Sequence, residues 1–263
     1  MNGMDGVIYC SDQSILTIVN GTFENINTIG TGTFIASINN YIGFFKLLNC
    51  IFKDSSSNSY FIYYELSSTL VVENSTFINN LGNMMIVYNS GLNITNSIFE
   101  NNTCYYDLGC ILNLQQFSNI YLVGNLFINI TNSNEGGVFF ISESTIMIQD
   151  QVLMNSNTSN YAACLLGESV EAHFRNFSSS NYLYGCLYFL NSSIIIENSV
   201  FQNTMYSFPE NNFCFSSLCC FECLSLIIAE TSFSGNINNT YYGGVHHLNS
   251  LFFYFNSYSR QFS

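Results

Sequence analysis

The decapeptide LVVENSTFIN, Leu70 to Asn79, recurs along the chain, and a recurring unit limits the fold more than any composition does. Aligned without gaps on Phe77, nine other segments match, and the anchors are Phe23, Phe52, Phe77, Phe99, Phe127, Leu153, Phe177, Phe201, Phe233 and Tyr258. Seven positions earlier all ten copies are apolar, from Leu16 to Leu251, and five positions earlier they are apolar again, from Ile18 to Phe253. Apolar residues two apart share one face of a strand. Three before the anchor stand Asn20, Asn49, Asn74, Asn96, Asp150 and Asn198. Two after it stand Asn25, Asp54, Asn79, Asn101, Asn129, Asn155 and Asn203. Asx residues suit bends because their side chains bond nearby backbone and tolerate left-handed conformations.

Successive anchors are 29, 25, 22, 28, 26, 24, 24, 32 and 25 residues apart, so a constant frame carries loops of varying length. A second apolar segment precedes each core, as in YFIYYELSS, MMIVYNS, GGVFFISES and GCLYFLNSS. Each unit therefore holds at least two short strands. No stretch between cores has a 3.6-residue period, and β-branched and aromatic residues abound. The expected fold is all-β: a right-handed parallel β-helix of about ten coils. Its anchors form an internal aromatic column, and its Asx columns form hydrogen-bonded ladders.

The pairing of GGVFF and GGVHH with FENI, FINN, FENN, FINI and FQNT resembles polymorphic outer-membrane protein repeats. That family alternates a GGA-[IVL] motif with F-x-x-N, forms right-handed β-helices and is associated with surface adhesins. The resemblance implies a pectate-lyase-like β-helix at a cell surface. Here Ala seldom follows Gly-Gly, and Asn usually sits two residues after the Phe.

Residues 1–263 read as one solenoid domain and, since the last core ends near residue 260, as a segment of a longer repeat array. Net charge is −13 with four basic residues, Lys46, Lys53, Arg175 and Arg260, which excludes the basic footprint of a nucleic-acid binder. No apolar run reaches the length of a spanning helix, and no signal peptide is evident. An extracellular or cell-surface location is expected, with glycans or other surface proteins as partners and no cofactor.

Two readings stand for the ten cysteines. CYYDLGC, with Cys104 and Cys110, and the insertion holding Cys214, Cys219, Cys220 and Cys223 are candidate disulfide staples. Cys10, Cys50, Cys110, Cys164 and Cys186 read as small apolar fillers on or beside strands. CCFEC without a second ligand pair is weak as a zinc site. Nine N-x-S/T sequons are close to the seven or so that chance supplies from 38 Asn and 50 Ser plus Thr, and several fall at ladder positions expected to be buried.

No catalytic, cofactor or metal residue is assigned. Enzymes of this fold need clustered carboxylates or a base, yet Glu73 and Glu197 share a column only on separated coils, as do Glu24 and Glu100. Glu168 and Glu171 flank a turn. His173 and Arg175 share a strand face without an evident acidic partner, and His246 and His247 point to opposite faces. The expected function is a non-catalytic stalk or adhesin-like rod that binds through a Tyr-rich outer face. Tyr63 or Tyr64 is the candidate contact, since Tyr60, Ile62 and Tyr64 should share one face and Phe61, Tyr63 and Glu65 the other. The alternative is a polysaccharide lyase or glycosidase, with Glu168, His173 or His246 as the residues to test.

Overall fold

A computed structural model describes residues 8–10, 15–28, 33–38, 44–66, 69–105, 109–132, 137–155, 157–158, 164–182, 186–206, 217–235, 237–238, 245–248 and 253–256. Among them every regular element is a strand, and neighbouring strands pair in parallel across consecutive repeats. Each turn contributes at least one strand to each of three sheets, and several turns give two to the largest. The motif sheet holds the five-residue strands such as Thr69–Glu73 and Gly91–Thr95. The anchor sheet holds three-residue strands such as Thr76–Ile78 and Ile98–Glu100. The large sheet holds the second apolar segments, such as Leu81–Tyr88 and Leu112–Gln115.

This is a parallel β-solenoid. About six turns, from Phe44 to Leu190, are shown with all three faces. Strands at either end extend the same sheets, but long stretches between them lie outside the described residues, so ten coils is more than these turns show.

The motif explains the geometry. Leu92 pairs in register with Leu70 and Ile120, and Ile94 with Val72 and Leu122, so the apolar columns stack like on like. These side chains and the anchors form the core, almost wholly buried through the middle turns. Phe23, Phe52, Phe77, Phe99 and Phe127 stack ring on ring at 4.6–5.0 Å. The bends are left-handed. The column running from Asn20 to Glu230 through Asn49, Asn74, Asn96, Gly124, Asp150, Asn176 and Asn198 has φ between 48° and 66°. The column from Asn25 to Gly235 has φ between 51° and 61°. Left-handed backbone is where Asn, Asp and Gly cost least.

Two ladders tie the bends together. On the outside, Asn101 donates its amide to Asn79 and Asn129 donates to Asn101, at 3.2 and 2.9 Å. On the inside, buried Ser and Asn residues after the bends offer an oxygen to the backbone of the preceding turn. Ser75 accepts from Cys50 N–H, Ser97 from Ser75, and Asn125 from Ser97, at 2.8–3.1 Å. An unpaired backbone donor is costly in a core, and this ladder removes it.

Two copies are set two residues away from their gap-free alignment. Ile146 pairs with Ala172 and Leu153 with Ser179, so Ser179, not Phe177, occupies the anchor column. The shift keeps the Asx columns intact: Asn176 donates to Asp150 at 2.8 Å and Asn181 to Asn155 at 3.1 Å. Phe177 instead enters the core from the bend, 5.6 Å from Phe201 and 5.5 Å from Phe174. The last copy also shifts, since Phe253 rather than Leu251 pairs with Leu226. Tyr258 lies outside the described residues.

The cysteine readings divide. Cys104 is bonded to Cys110, so Cys110 is half of a staple and not a filler. Cys220 is bonded to Cys223, and Cys219 is disulfide-bonded as well. Cys10, Cys50, Cys164 and Cys186 are buried free thiols. Cys214 lies outside the described residues.

Candidate functional site: a groove on the motif sheet

Strand alternation turns three columns of the motif sheet outward. The first runs through Thr69, Gly91, Asn119, Thr145, Glu171 and Ser193. The second runs through Asn93, Tyr121, Met147, His173, Ile195 and Ile227. The third includes Glu73, Gln149, Arg175 and Glu197. Two clefts lie on this face. One, of about 350 Å³, is lined by residues including Tyr121, Met147, His173, Ile195 and Ile227. The other, of about 460 Å³, lies at the bend entering the sheet and is lined by residues including Phe117, Glu143 and Ser169. They share Asn119, Thr145 and Glu171, so they form one continuous groove over neighbouring turns.

Phe117 is 75% exposed and has φ 54°. Left-handed backbone is an outlier for a bulky aromatic, and it persists only where the surroundings impose it. The local cause is one extra residue. Four steps separate Gln115 from Asn119, whereas three separate Tyr88 from Gly91 on the preceding turn. The bend takes the insertion as two successive left-handed residues, Gln116 and Phe117, and the N–H of Phe117 donates to Glu143 O at 2.7 Å. Tyr121, 52% exposed, stands across the shared column of residues.

One strand concentrates the ionisable groups of this face. Glu171, His173 and Arg175 point outward together from Glu171–Arg175, in a chain that is only 8% charged. Glu197 on the next turn reaches His173, with Nε2 and Oε2 3.1 Å apart. The partner of His173 thus comes from the neighbouring turn. No carboxylate lies within ion-pair distance of Arg175 among the described residues. At the adjoining bend, hydrogen bonds from Asn176 and Gln149 hold the Asp150 carboxyl below the usual range.

The other candidates lie elsewhere. Tyr64 is fully buried in the core and offers no contact surface. Tyr63 is half-buried on the outside of the large sheet, where its hydroxyl donates to Glu65 at 2.8 Å. The face assignment of this strand changes at its start. Phe61 and Ile62 both enter the core, and the pairing shifts between Leu81 and Asn83. Tyr60 is instead tied to Asn113, whose amide donates to its hydroxyl at 3.2 Å. Glu168 is exposed at the end of its strand, ahead of the Ser169 bend. His246 and His247 belong to Val245–Leu248, whose backbone pairs with Cys219 and Cys220, and their side chains lie outside the described residues. The ladder asparagines of the sequons, including Asn74, Asn101, Asn129 and Asn176, are exposed and not buried as expected. Among the described residues no group of three or more His, Cys, Asp or Glu could hold a metal ion, and no helix is long and apolar enough to cross a membrane.

Phe117 and Tyr121 line the groove and were not singled out in the sequence, and Glu197 was considered there only in a column with Glu73, not as the partner of His173. Phe117 leaves a trace there as the extra residue between the second segment and the core. Tyr121 occupies the outward position six before its anchor.

No protein-family model matches the chain, and no curated protein matches it. Solved structures similar to it include the following three. Bacteriophage CBA120 tailspike protein 3 has a TM-score of 0.33 and 10% identity, over 90% of this chain and 48% of the tailspike. The mannuronan C-5 epimerase A-module of Azotobacter vinelandii has 0.25 and 9%, over 98% of this chain and 79% of the module. A mannuronic acid specific polysaccharide family 6 lyase from human gut microbiota has 0.21 and 8%, over 93% and 82%. The chain spans about half the length of the tailspike. The polymorphic outer-membrane repeat type is not confirmed by these comparisons. The similarities are remote, and the assignment as a parallel β-solenoid rests on the strand pairing itself.

Proposed function

We propose that the chain is a non-catalytic, surface or secreted right-handed β-helix of about ten coils, and that it binds glycans along the groove of the motif sheet. The observation that carries this reading is the pair of exposed aromatics, Phe117 and Tyr121, flanking one continuous groove. Flat aromatic faces give contact area at low entropic cost, and Tyr adds a polar tip. Among the other lining residues, Asn119, Thr145, Ser193 and Ser225 offer hydroxyl and amide groups suited to sugar hydroxyls, and Met147, Ile195 and Ile227 add apolar surface. The disulfides at Cys104–Cys110 and Cys220–Cys223 fit an oxidising compartment. The chain's scarcity of charge favours a neutral or weakly charged ligand.

A second reading, a carbohydrate-active enzyme, is favoured by the contact between His173 and Glu197, because a carboxylate that orients an imidazole is one way to build a general base. A polysaccharide screen that measures binding and turnover together separates the two. The binding reading expects retention of at least one glycan without chain cleavage. It also expects roughly tenfold or greater weakening, about 1.4 kcal/mol, in Phe117→Ala or Tyr121→Ala. Depolymerisation that is lost in His173→Ala and Glu197→Gln overturns it in favour of the enzyme.

A further inference from the structure

We propose that Cys164 and Cys186 are a site of covalent cross-linking, closing into a disulfide that ties one turn of the solenoid to the next. The two residues occupy equivalent places, each immediately before a strand of the large sheet, and Leu165 pairs with Leu187. Cys164 N–H donates to Cys186 O at 3.1 Å, which fixes the two backbones side by side. Both side chains are fully buried in the same core. Neighbouring strands lie about 4.8 Å apart, inside the Cα separation of about 4.4–6.8 Å that a disulfide spans. The described disulfides already formed join residues six and three apart in sequence, so each lies within one turn. A bond from Cys164 to Cys186 would close a loop of one whole turn.

That turn is the one carrying Glu171, His173 and Arg175, and Cys186 opens the turn that supplies Glu197. The cross-link would therefore hold the two sides of the His173–Glu197 contact in register. Burial, reinforced by the hydrogen bond with Cys186, pushes the Cys164 thiol well above the usual range. A thiol of that kind exchanges slowly once enclosed, because the thiolate is the attacking species. The bond is accordingly formed during folding, before the turn is sealed. The oxidant is a low-molecular-weight disulfide. One sulfur–sulfur bond forms between the cysteines while the oxidant's bond breaks, and the two cysteine protons leave on the two released thiols.

The test is a thiol count on the full chain, refolded in a glutathione redox buffer, denatured without reductant and alkylated. Cross-linking expects label on Cys10 and Cys50 but on neither Cys164 nor Cys186, and a peptide pair joined through Cys164 and Cys186 that separates on reduction. Cys186→Ser should raise the count by one, with the new label on Cys164. Labelling of both Cys164 and Cys186 in the unsubstituted chain overturns the proposal, as does a count that Cys186→Ser leaves unchanged.

Discussion

The ring of Phe77 lies on the ring of Phe99, centroids 4.8 Å apart and planes 6° from parallel, although the two are 22 positions apart in the chain. Aromatic pairs left to themselves favour offset or edge-on contacts. Here the spacing between strands, about 4.7–4.9 Å, sets the separation, and the shared rotamer follows from identical backbone on each turn.

Phe99→Ala should therefore cost about 3–5 kcal/mol, since it removes a fully buried ring flanked by two others. Damage should concentrate in adjacent turns, because a solenoid couples mainly nearest neighbours. Denaturant unfolding gives the total, and hydrogen exchange gives its spread. A loss under about 1 kcal/mol is incompatible with the column.

Ser179 interrupts that column, and its buried hydroxyl has no hydrogen-bond partner among the described residues. Leaving such a group unpaired costs about 1–3 kcal/mol. Ser179→Ala should be neutral or stabilising in the same unfolding experiment. A clear destabilisation would mean that the hydroxyl is satisfied in solution.

Asn101 donates to Asn79 and accepts from Asn129 while holding φ at 54°. Asn101→Ala should lose both ladder bonds and also bear the left-handed cost of about 1–2 kcal/mol. Asn101→Gly loses the bonds but not the backbone ease. Glycine should therefore be the milder substitution, an inversion of the usual order that thermal melts can read. Equal losses would leave no role for the bend conformation.

Burial, then the hydrogen bond to the Glu65 carboxylate, raise the Tyr63 phenol above its ordinary value. A raised folded value means that the stabilisation is complete below the unfolded pKa, near 10, and is lost as pH rises through the folded one. An absorbance titration of phenolate should show one late-ionising tyrosine that disappears in Tyr63→Phe. Unchanged alkaline curves in the two proteins would contradict the Tyr63–Glu65 contact.

The sequence by itself determined the repeat, and through it the strands, the two Asx bends and the parallel stacking. Those properties are local and recur, so an apolar pair at seven and five before Phe77 means the same thing at Phe99. It could not determine register where a copy is degenerate. In VEAHFRNFSS two phenylalanines compete for the anchor place, and an alignment rewards the match at Phe177. The folded chain instead keeps Asn176 and Asn181 in their ladders and gives Ser179 the anchor position, because several inter-turn bonds and the bend geometry outweigh one ring. Tertiary structure alone also decided which tyrosines are buried and which residues meet in the groove. Tyr63 and Tyr64 differ only by strand parity, and an irregularity near Tyr60 resets that parity. His173 and Glu197 are 24 residues apart and meet because turns stack in space. Phe117 is exposed because the bend that holds it takes one residue more than the bends on either side, and its backbone stays bonded to Glu143 while its ring is turned out in left-handed conformation.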